Sequence, residues 1–350
     1  MFKSVLCLAL AGIAAPVAAQ TASQDGMLLL RQFNVITLSD LNANNTQHVQ
    51  GKVFVGGNLN GGLNVAQSPT GSATASDYAE LTVGGNVGNW NVDHSQTAGR
   101  GALVRVGGNS GQATMNTNGH VDVGGTFDTQ GFNPNGTKTI STGVVGLASA
   151  IAAQQATFST DLHALSNELA AIPPASIANM NQSLSFVGDY AVYTMSAAQF
   201  GTSNYDFKTL FTGVAANQTV VINVLGSSLS IGGGSNFNAP VGDGANILWN
   251  FNQAQTVNIG NWYGSILAPD ATLTTSNGNI TGSVVARIFN ESGEVHLPTF
   301  GGTSRYLVTT PNNPPGAVPE PASWMTMLLG FGASGSIIRL RRRKECVATA

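Results

Sequence analysis

The chain has 350 residues, a net charge of -3, 9% charged residues, 42% hydrophobic residues and 43 glycines. Low charge with a high apolar content is opposite to the composition of disordered chains, so most of the chain is predicted to fold around an apolar core. Residues 20–318 contain 8 basic and 15 acidic residues, which excludes the basic surface that nucleic-acid binding needs.

The first 19 residues have the pattern of a secretory signal peptide. Lys3 supplies the positive start, residues 5–15 form the apolar stretch, and small residues precede Gln20. The domain that follows, residues 20–310, contains neither of the two cysteines, Cys7 and Cys346, and so has no disulfide. Its apolar content is large enough to support a core without one.

A short unit with two apolar residues and a glycine corner is repeated after a first predicted strand at residues 32–38. Full copies lie at residues 53–58, 81–86, 104–109 and 121–126, and a shorter copy lies at residues 229–233. The corners at Gly56, Gly84, Gly107 and Gly124 are 28, 23 and 17 residues apart. Each copy predicts a brief strand whose apolar side chains share one face, followed by a turn that glycine permits.

Strands that end in corners and are followed by long return paths favour a parallel β-solenoid, a fold similar to a β-helix. The alternative is a β-sandwich of hairpins, which would need two-residue turns between consecutive strands. In the solenoid, the middle residue of each unit is predicted to face outward: these residues are Phe54, Thr82, Arg105 and Asp122. Between Gly143 and Ile172, apolar residues at helical spacing predict one long amphipathic helix alongside the strands, which Pro173 and Pro174 end.

The middle of the chain resembles the choice-of-anchor A domain, an adhesive module of bacterial surface proteins. The matching segments are residues 33–36 with Asp40, residues 51–58, 263–269 and 279–286, and a closing segment at 293–296. The resemblance covers about residues 30–300 and implies an adhesive role. At the level of the fold alone, the strands with an embedded helix are also similar to ice-binding β-solenoids.

The C-terminal end has three parts in a characteristic order. A Pro-rich linker at 311–318 precedes Pro319-Glu320-Pro321, an apolar run at 322–338 and a basic cluster that includes Arg341, Arg342 and Arg343. Residues 319–344 resemble the PEP-CTERM sorting signal of Gram-negative bacteria, which implies an exosortase as processing partner and a final location at the cell surface, the outer membrane or the extracellular matrix. The apolar run is just long enough to span a bilayer, and the basic cluster would leave residues 345–350 in the cytoplasm, so the protein is expected to be tethered first to the inner membrane.

Candidate catalytic and metal-binding residues are few. No two of the five histidines have metal-ligand spacing, and the neighbours Asp93 with His94 and His120 with Asp122 are interpreted as exposed polar residues because no activated nucleophile accompanies them. Glu291 and Glu294 could form a glycosidase pair, and Asp243 could contribute to a calcium site, but each pattern is also typical of a turn. We therefore expect no enzyme activity, cofactor or metal.

Two kinds of residue could bind a ligand. Trp90, Trp262 and Tyr263 could stack on sugar rings if they are exposed, although each could equally fill the edge of the fold. Hydroxyls at residues 272–275 could contribute to a flat ice-binding face. The sequence thus predicts a non-catalytic adhesin or matrix protein that contacts extracellular polysaccharide or another surface ligand, with an ice-binding face or a polysaccharide-acting enzyme as alternatives.

Overall fold

The computed structural model describes residues 20–44, 47–68, 74, 76–130, 132–176, 184–200, 205–206, 208–231, 237–238 and 244–303. Within these residues, 23 strands belong to one sheet and two short strands form a second. The strand pairs are parallel, and the isolated bridge between Val187 and Tyr190 is antiparallel. The predicted mainly β, parallel class is confirmed and is consistent with a solenoid, whereas a sandwich of hairpins does not fit these pairs.

The N-terminal half of the chain contains one helix and twelve strands, which lead into a second, longer helix. In chain order they are α1 (Ala22–Gln32), β1 (Val35–Thr37), β2 (Leu41–Ala43), β3 (Gln47–Val49), β4 (Val53–Val55), β5 (Leu59–Val65), β6 (Leu81–Val83), β7 (Val87–Val92), β8 (Ala102–Val106), β9 (Ala113–Met115), β10 (Gly119–Val123), β11 (Asn133–Pro134), β12 (Lys138–Ser141) and α2 (Leu147–Ala171).

The C-terminal half adds thirteen strands and two short helical turns. They are β13 (Ala175–Ser176), β14 (Tyr190–Ser196), a 3₁₀ turn (Ala197–Phe200), β15 (Tyr205–Asp206), α3 (Lys208–Phe211), β16 (Thr219–Leu225), β17 (Ser228–Ser230), β18 (Phe237–Asn238), β19 (Ile247–Asn250), β20 (Thr256–Ile259), β21 (Trp262–Tyr263), β22 (Ser265–Thr275), β23 (Ile280–Thr281), β24 (Val284–Glu291) and β25 (Val295–His296). The long strands β22 and β24 each contribute to two stacks of strands.

The large sheet consists of three parallel stacks, which we name A, B and C. Stack A is β13, β14, β16, β19, β22, β24, β1, β4, β6, β8, β10 and β12. Stack B is β17, β20, the ends of β22 and β24, β2 and the starts of β5 and β7. Stack C is β21, β23, β25, β3, the ends of β5 and β7, β9 and β11. Apolar side chains from all three stacks form one buried cluster.

The order of the strands along the chain is circularly permuted relative to their order in stack A. The first strand, β1, lies in the middle of the stack, where Val35 is opposite both Val284 of β24 and Val53 of β4. Along the stack, the strands follow one another from β13 to β24 and then from β1 to β12. Val284 and Val35 are therefore neighbours in the sheet, although almost the whole domain separates them in the sequence. Helix α2 returns the chain from one end of the stack to the other.

The length of α2 matches this return path. Near its start, Ala148 lies against Gly107, which follows β8, and near its end the Leu169 carbonyl accepts a hydrogen bond of 2.9 Å from Asn223 of β16. The 21 residues between these contacts span about 32 Å of helix, and the seven strand steps from β8 to β16 span about 34 Å. The predicted long helix is therefore confirmed, and it lies alongside stack A.

Both long helices cover the outer face of stack A, which corrects one expectation from the sequence. Phe54 and Thr82 were predicted to face solvent, but their exposed fractions are 0% and 2%. Phe54 belongs to a second apolar cluster between stack A and the helices, where its ring centroid is 4.7 Å from that of Phe158 in α2. The middle residue of the repeated unit does point away from the interior, but in these copies it meets a helix.

Helix α1 was not predicted; no element was assigned to residues 22–31, and the first strand was expected at residues 32–38. The helix ends at Gln32, and β1 begins at Val35. Its first turn has a capping box in which Thr21 and Gln24 bond each other's backbone N–H groups. Gly26, which resembles a turn residue in the sequence, is required by packing, because a Cβ atom there would lie 2.5 Å from the Asp161 carbonyl oxygen of α2.

The glycine corners are explained by close stacking of successive copies. A Cβ atom on Gly84 would lie 2.2 Å from the Gly56 carbonyl oxygen, and one on Gly107 would lie 2.2 Å from that of Gly84. On the second glycine, Gly85, a Cβ atom would lie 2.4 Å from the side-chain oxygen of Asn58 in the neighbouring copy. Both glycines are therefore needed because other backbone or an asparagine side chain occupies the Cβ position.

Candidate functional site

Two of the three stacks have outer faces that neither long helix covers in the described residues, and these faces are the candidate site. On stack B, a row of amide and hydroxyl side chains is in register over six strands: Ser230, Asn258, Thr274, Asn290, Asn42 and Asn60. A second row on this face is Ser228, Thr256, Thr272 and Ile288. These outward residues alternate with interior residues such as Leu273 and Phe289, as the strand period requires.

Many polar side chains on stack B bond each other. Asn60 donates to the Oδ1 atom of Asn42 at 2.8 Å, Asn42 donates to Asn290 at 2.7 Å, and Asn290 donates to the Thr274 hydroxyl at 3.1 Å. Part of the hydrogen-bonding capacity of this row is therefore used within the protein, and this use fixes the orientation of each amide.

The outer face of stack C carries a different row, in which His48, Asn64, Asn91, Thr114 and Asn133 are in register. Where stacks B and C meet, this face contains a groove of about 210 Å³. Its rims are formed by Asn64, Asn91 and Thr114 on one side and by Gly62, Asn89 and Gln112 on the other. The lining of the groove contains no ionisable side chain.

The aromatic residues that were candidates for sugar stacking are buried, which favours the alternative that they fill the fold. Trp90 and Trp262 are each 3% exposed, and Tyr263 is 9% exposed. Trp90 donates from Nε1 to the Ser110 hydroxyl at 2.9 Å and contributes only to the floor of the groove. These rings fill the interior, since their apolar bodies contribute more when they are removed from water.

The histidine–carboxylate neighbours lie at the surface and do not form one site. His120 Nε2 is 2.7 Å from Asp122 Oδ1, with both side chains partly exposed. The His94 ring instead lies 3.3 Å from the Ala66 carbonyl oxygen, and Asp93 accepts hydrogen bonds from two asparagine amides. Among the described residues, no group of three or more His, Cys, Asp or Glu side chains could hold a metal ion; Asp243 lies outside those residues.

Glu291 and Glu294 do not share a cleft. Glu291 is 2% exposed and lies at the end of β24 among inward-facing residues, and neither of its carboxyl oxygens has a hydrogen-bond partner in the described part of the chain. Burial raises the pKa of this carboxyl well above its ordinary value. Glu294 lies on the outside, where His296 and His48 are 2.6 Å and 3.6 Å from its oxygens.

A buried ionic cluster near the junction of stacks C and A was not predicted from the sequence. Lys52 is fully buried, and its Nζ atom donates to the carbonyl oxygens of Ser76 and Tyr78 and lies 3.7 Å from Glu80. Burial lowers the pKa of the Lys52 ammonium, and the Glu80 carboxylate offsets part of this effect. Arg100 closes the cluster at 3.3 Å from Glu80. Lys52 and Arg100 donate to backbone carbonyl groups at 76–78, and Glu80 accepts from the Leu103 N–H, so the cluster holds the loops before β6 and β8.

The sorting-signal residues Pro319, Glu320, Pro321, Arg341, Arg342 and Arg343 lie outside the described residues, as do the signal peptide at 1–19 and the apolar run at 322–338. Among the helices that the structure describes, none is long and apolar enough to cross a membrane. Within the described residues, the candidate site consists of the open faces of stacks B and C and the groove between them.

Fold and site together define a mainly parallel β protein whose open faces carry amide and hydroxyl side chains. A family model described as "Putative Ice-binding-like adhesive domain" matches residues 27–297, and the PEP-CTERM protein-sorting motif matches residues 317–344. The chain therefore belongs to the ice-binding-like adhesive domain family and carries a recognition signal for exosortase processing, which indicates an exported, surface-associated protein. Searches of curated proteins and of solved structures returned no match.

Proposed function

We propose that the protein is a β-solenoid adhesin or extracellular-matrix component of the choice-of-anchor A type, exported across the inner membrane of a Gram-negative bacterium. One observation carries this proposal: two stacks present outer faces of amide and hydroxyl side chains that span several strands in register. Broad uncharged faces of this kind suit repeated weak contacts with an extended surface or polymer, and repetition of weak contacts raises the total affinity.

The proposed role is non-catalytic. Catalysis needs ionisable groups that converge on one reacting atom, whereas Glu291 is inside the fold and Glu294 is outside it. The histidine–carboxylate pairs lie on separate parts of the surface. A polysaccharide-acting enzyme is therefore the less favoured hypothesis for these faces. A reducing-end assay after incubation of the purified protein with polysaccharides should detect no hydrolysis.

Export and anchoring are proposed to follow the terminal signals. The signal peptide at 1–19 starts translocation, the apolar run at 322–338 with Arg341, Arg342 and Arg343 holds the chain in the membrane, and an exosortase processes it near Pro319-Glu320-Pro321. Replacement of these three residues by alanine should leave the unprocessed chain in the inner-membrane fraction. Normal release of that variant to the cell surface would contradict this route.

The adhesive function can be tested with the full-length protein and a deletion strain. We expect purified protein to bind at least one member of a panel of glycans and matrix proteins, and cells without the gene to form less biofilm. Complementation should restore the biofilm. Absence of binding to the whole panel, together with normal biofilm in the deletion strain, would overturn the proposed function.

Ice binding is a second candidate, because the rows on stack B place hydroxyl groups of Thr256 and Thr272 in register on neighbouring strands. The rows are irregular, since Ile288 and several asparagines interrupt them. Thermal hysteresis of the purified protein would support this candidate if substitution of Thr256 and Thr272 by tyrosine removed it. A hysteresis equal to that of an unrelated protein would exclude it.

A further inference from the structure

The groove between stacks B and C concentrates polar side chains that have no partner among the described residues. Asn64, Asn89, Gln112 and Thr114 make no side-chain hydrogen bond to another described residue, although they lie side by side on three neighbouring strands. On stack B, Asn42 is bonded to neighbours on both sides, whereas Ser230 and Asn258 of the same row make no side-chain bond to a described residue. In the groove, Asn91 is bonded to Asp93, so the other amides and the hydroxyl are the groups available to a ligand.

The shape of the groove suits a polymer that passes along it. A volume of about 210 Å³ is below the range of about 300–1,000 Å³ that encloses a small molecule. Gly62 has no side chain and leaves one rim low, while Asn89 and Gln112 extend that rim over the next two strands. The opposite rim continues along its row to His48 in β3 and Asn133 in β11, so polar side chains extend beyond the groove in both directions.

The chemistry of the lining selects the class of polymer. An ionic polymer would need charged partners, and the lining has none. An extended peptide binds best by pairing with a free strand edge, but the backbone of Leu63, Trp90 and Ala113 is already paired within stack C. Amides and hydroxyls that both donate and accept match a chain of neutral hydroxyl groups.

From these three observations we propose that the groove formed by residues 62–64, 89–91 and 112–114 binds a single chain of a neutral, linear polysaccharide. This inference rests on the proposed adhesive function and names its ligand class and contact surface. Asn89 and Gln112 would bond hydroxyl groups from one side of the chain, and Asn64 and Thr114 from the other.

The test compares two double variants of the full-length protein by affinity electrophoresis in gels that contain dextran, amylose, laminarin or hydroxyethyl cellulose, with the anionic polymer alginate as comparison. Asn89→Ala/Gln112→Ala removes two amides from the groove. The control, Asn217→Ala/Gln130→Ala, removes the same two side-chain types from exposed turns outside stacks B and C. Unchanged thermal midpoints would establish that both variants are folded.

We expect the parent and the control to bind at least one neutral polysaccharide and the groove variant to bind it at least tenfold more weakly. Equal binding by the groove variant would overturn the inference while leaving the adhesive function in place. Binding to alginate alone would overturn the neutral class. If the parent bound no polysaccharide but did bind another matrix component, the inference would fail alone; if it bound nothing, the proposed function would fail with it.

Discussion

At the scale of single residues, the asparagine after the corner glycines of the first three copies links neighbouring copies of the repeat. The side-chain oxygen of Asn58 accepts a hydrogen bond from the backbone N–H of Asn86 at 2.9 Å, and Asn86 accepts one from Asn109 at 2.8 Å. Asp40 begins this series by accepting from Asn58 at 2.7 Å. The asparagines thus satisfy backbone groups that the corner would otherwise leave without a partner.

Asn86→Ala should destabilise the protein by about 1 kcal/mol, because the Asn109 N–H loses its acceptor at a site that water can partly reach. Asn86→Asp should stay within about 0.5 kcal/mol of the parent, since it keeps the acceptor oxygen, as Asp40 does naturally. Urea unfolding at constant m-value measures both changes. Equal losses of stability in the two variants would show that the side-chain oxygen of Asn86 is not the source of the stabilisation.

The buried Glu291 carboxyl predicts a particular dependence of stability on pH. Its pKa is raised by burial, so the folded protein keeps a proton that the unfolded chain releases above a pKa of about 4.3. The contribution of this group to stability is therefore complete below that pH and falls as the pH rises toward the folded-state pKa. Glu291→Gln should remove this part of the pH dependence in thermal unfolding between pH 4 and pH 8.

A companion variant, Glu291→Leu, should raise stability at pH 7 by about 1–3 kcal/mol, because it also removes a polar group that has no partner among the described residues. At pH 4 the gain should be smaller, since the parent carboxyl is then neutral in the folded state and mostly neutral in the unfolded state. A loss of stability in the leucine variant at both pH values would mean that the carboxyl has a stabilising role.

At the scale of elements, helix α2 is held by the aromatic cluster that it shares with α1 and stack A. The Phe158 ring centroid is 5.6 Å from Phe33, 4.7 Å from Phe54 and 5.5 Å from Tyr78. Phe158→Ala should destabilise the protein by about 3–5 kcal/mol through lost burial and a cavity. Thr157→Ala, one residue away on the exposed side of the helix, is the control and should change stability by less than about 0.5 kcal/mol in the same denaturant titration.

The two helices show what could be learned from the sequence at this scale. Six buried apolar positions of α2 follow a helical period over its 25 residues, and a signal of that length is unambiguous. Helix α1 has only 11 residues, and Gly26 in its middle is placed there by contact with α2, which no local pattern reveals. The Thr21 and Gln24 capping box was the available signal.

The candidate site was predictable only in part. The period-two alternation in strands such as β22 predicts which side chains face outward, and Thr272 and Thr274 do so. The groove was not predictable, because Asn64, Asn91 and Thr114 come from three separate strands and their register depends on the lengths of the intervening loops. The burial of Trp90 was left open by the sequence, because an isolated aromatic residue beside asparagine and glycine gives no indication of burial.

At the scale of the whole molecule, Asn34 joins the first and last parts of the chain. This buried side chain donates to the carbonyl oxygens of Gly282 at 2.7 Å and His296 at 3.2 Å, and it accepts from the Gly51 N–H at 3.0 Å. Asn34→Ala should cost about 3 kcal/mol or more, because several buried polar groups lose their partner together. The exposed Asn133→Ala is the control and should be nearly neutral.

The Asn34 variant should also reduce the cooperativity of unfolding. Hydrogen exchange in native conditions should become faster in β24, whose Val284 N–H bonds the Asn34 carbonyl, and in β1, with little change in β10. Uniform acceleration across all stacks would indicate that the junction between β1 and β24 is not a separate weak point. The permuted order of the strands could not be predicted from the sequence, because repeats of similar strands do not specify which strands become neighbours in the sheet.

The permuted order has a consequence for the route by which the protein reaches its destination. A chain threaded outward from its N-terminus delivers β1 early, but the strand that completes one side of it, β24, follows about 250 residues later. Pairing between such distant segments is slow. Until β24 arrives, the N-terminal half has an unpaired strand edge at β1, of the kind that recruits other chains. The charged or proline-containing strands β11 and β12 lie at the opposite end of this half, so they protect that end, and the β1 edge stays open during secretion until β24 arrives.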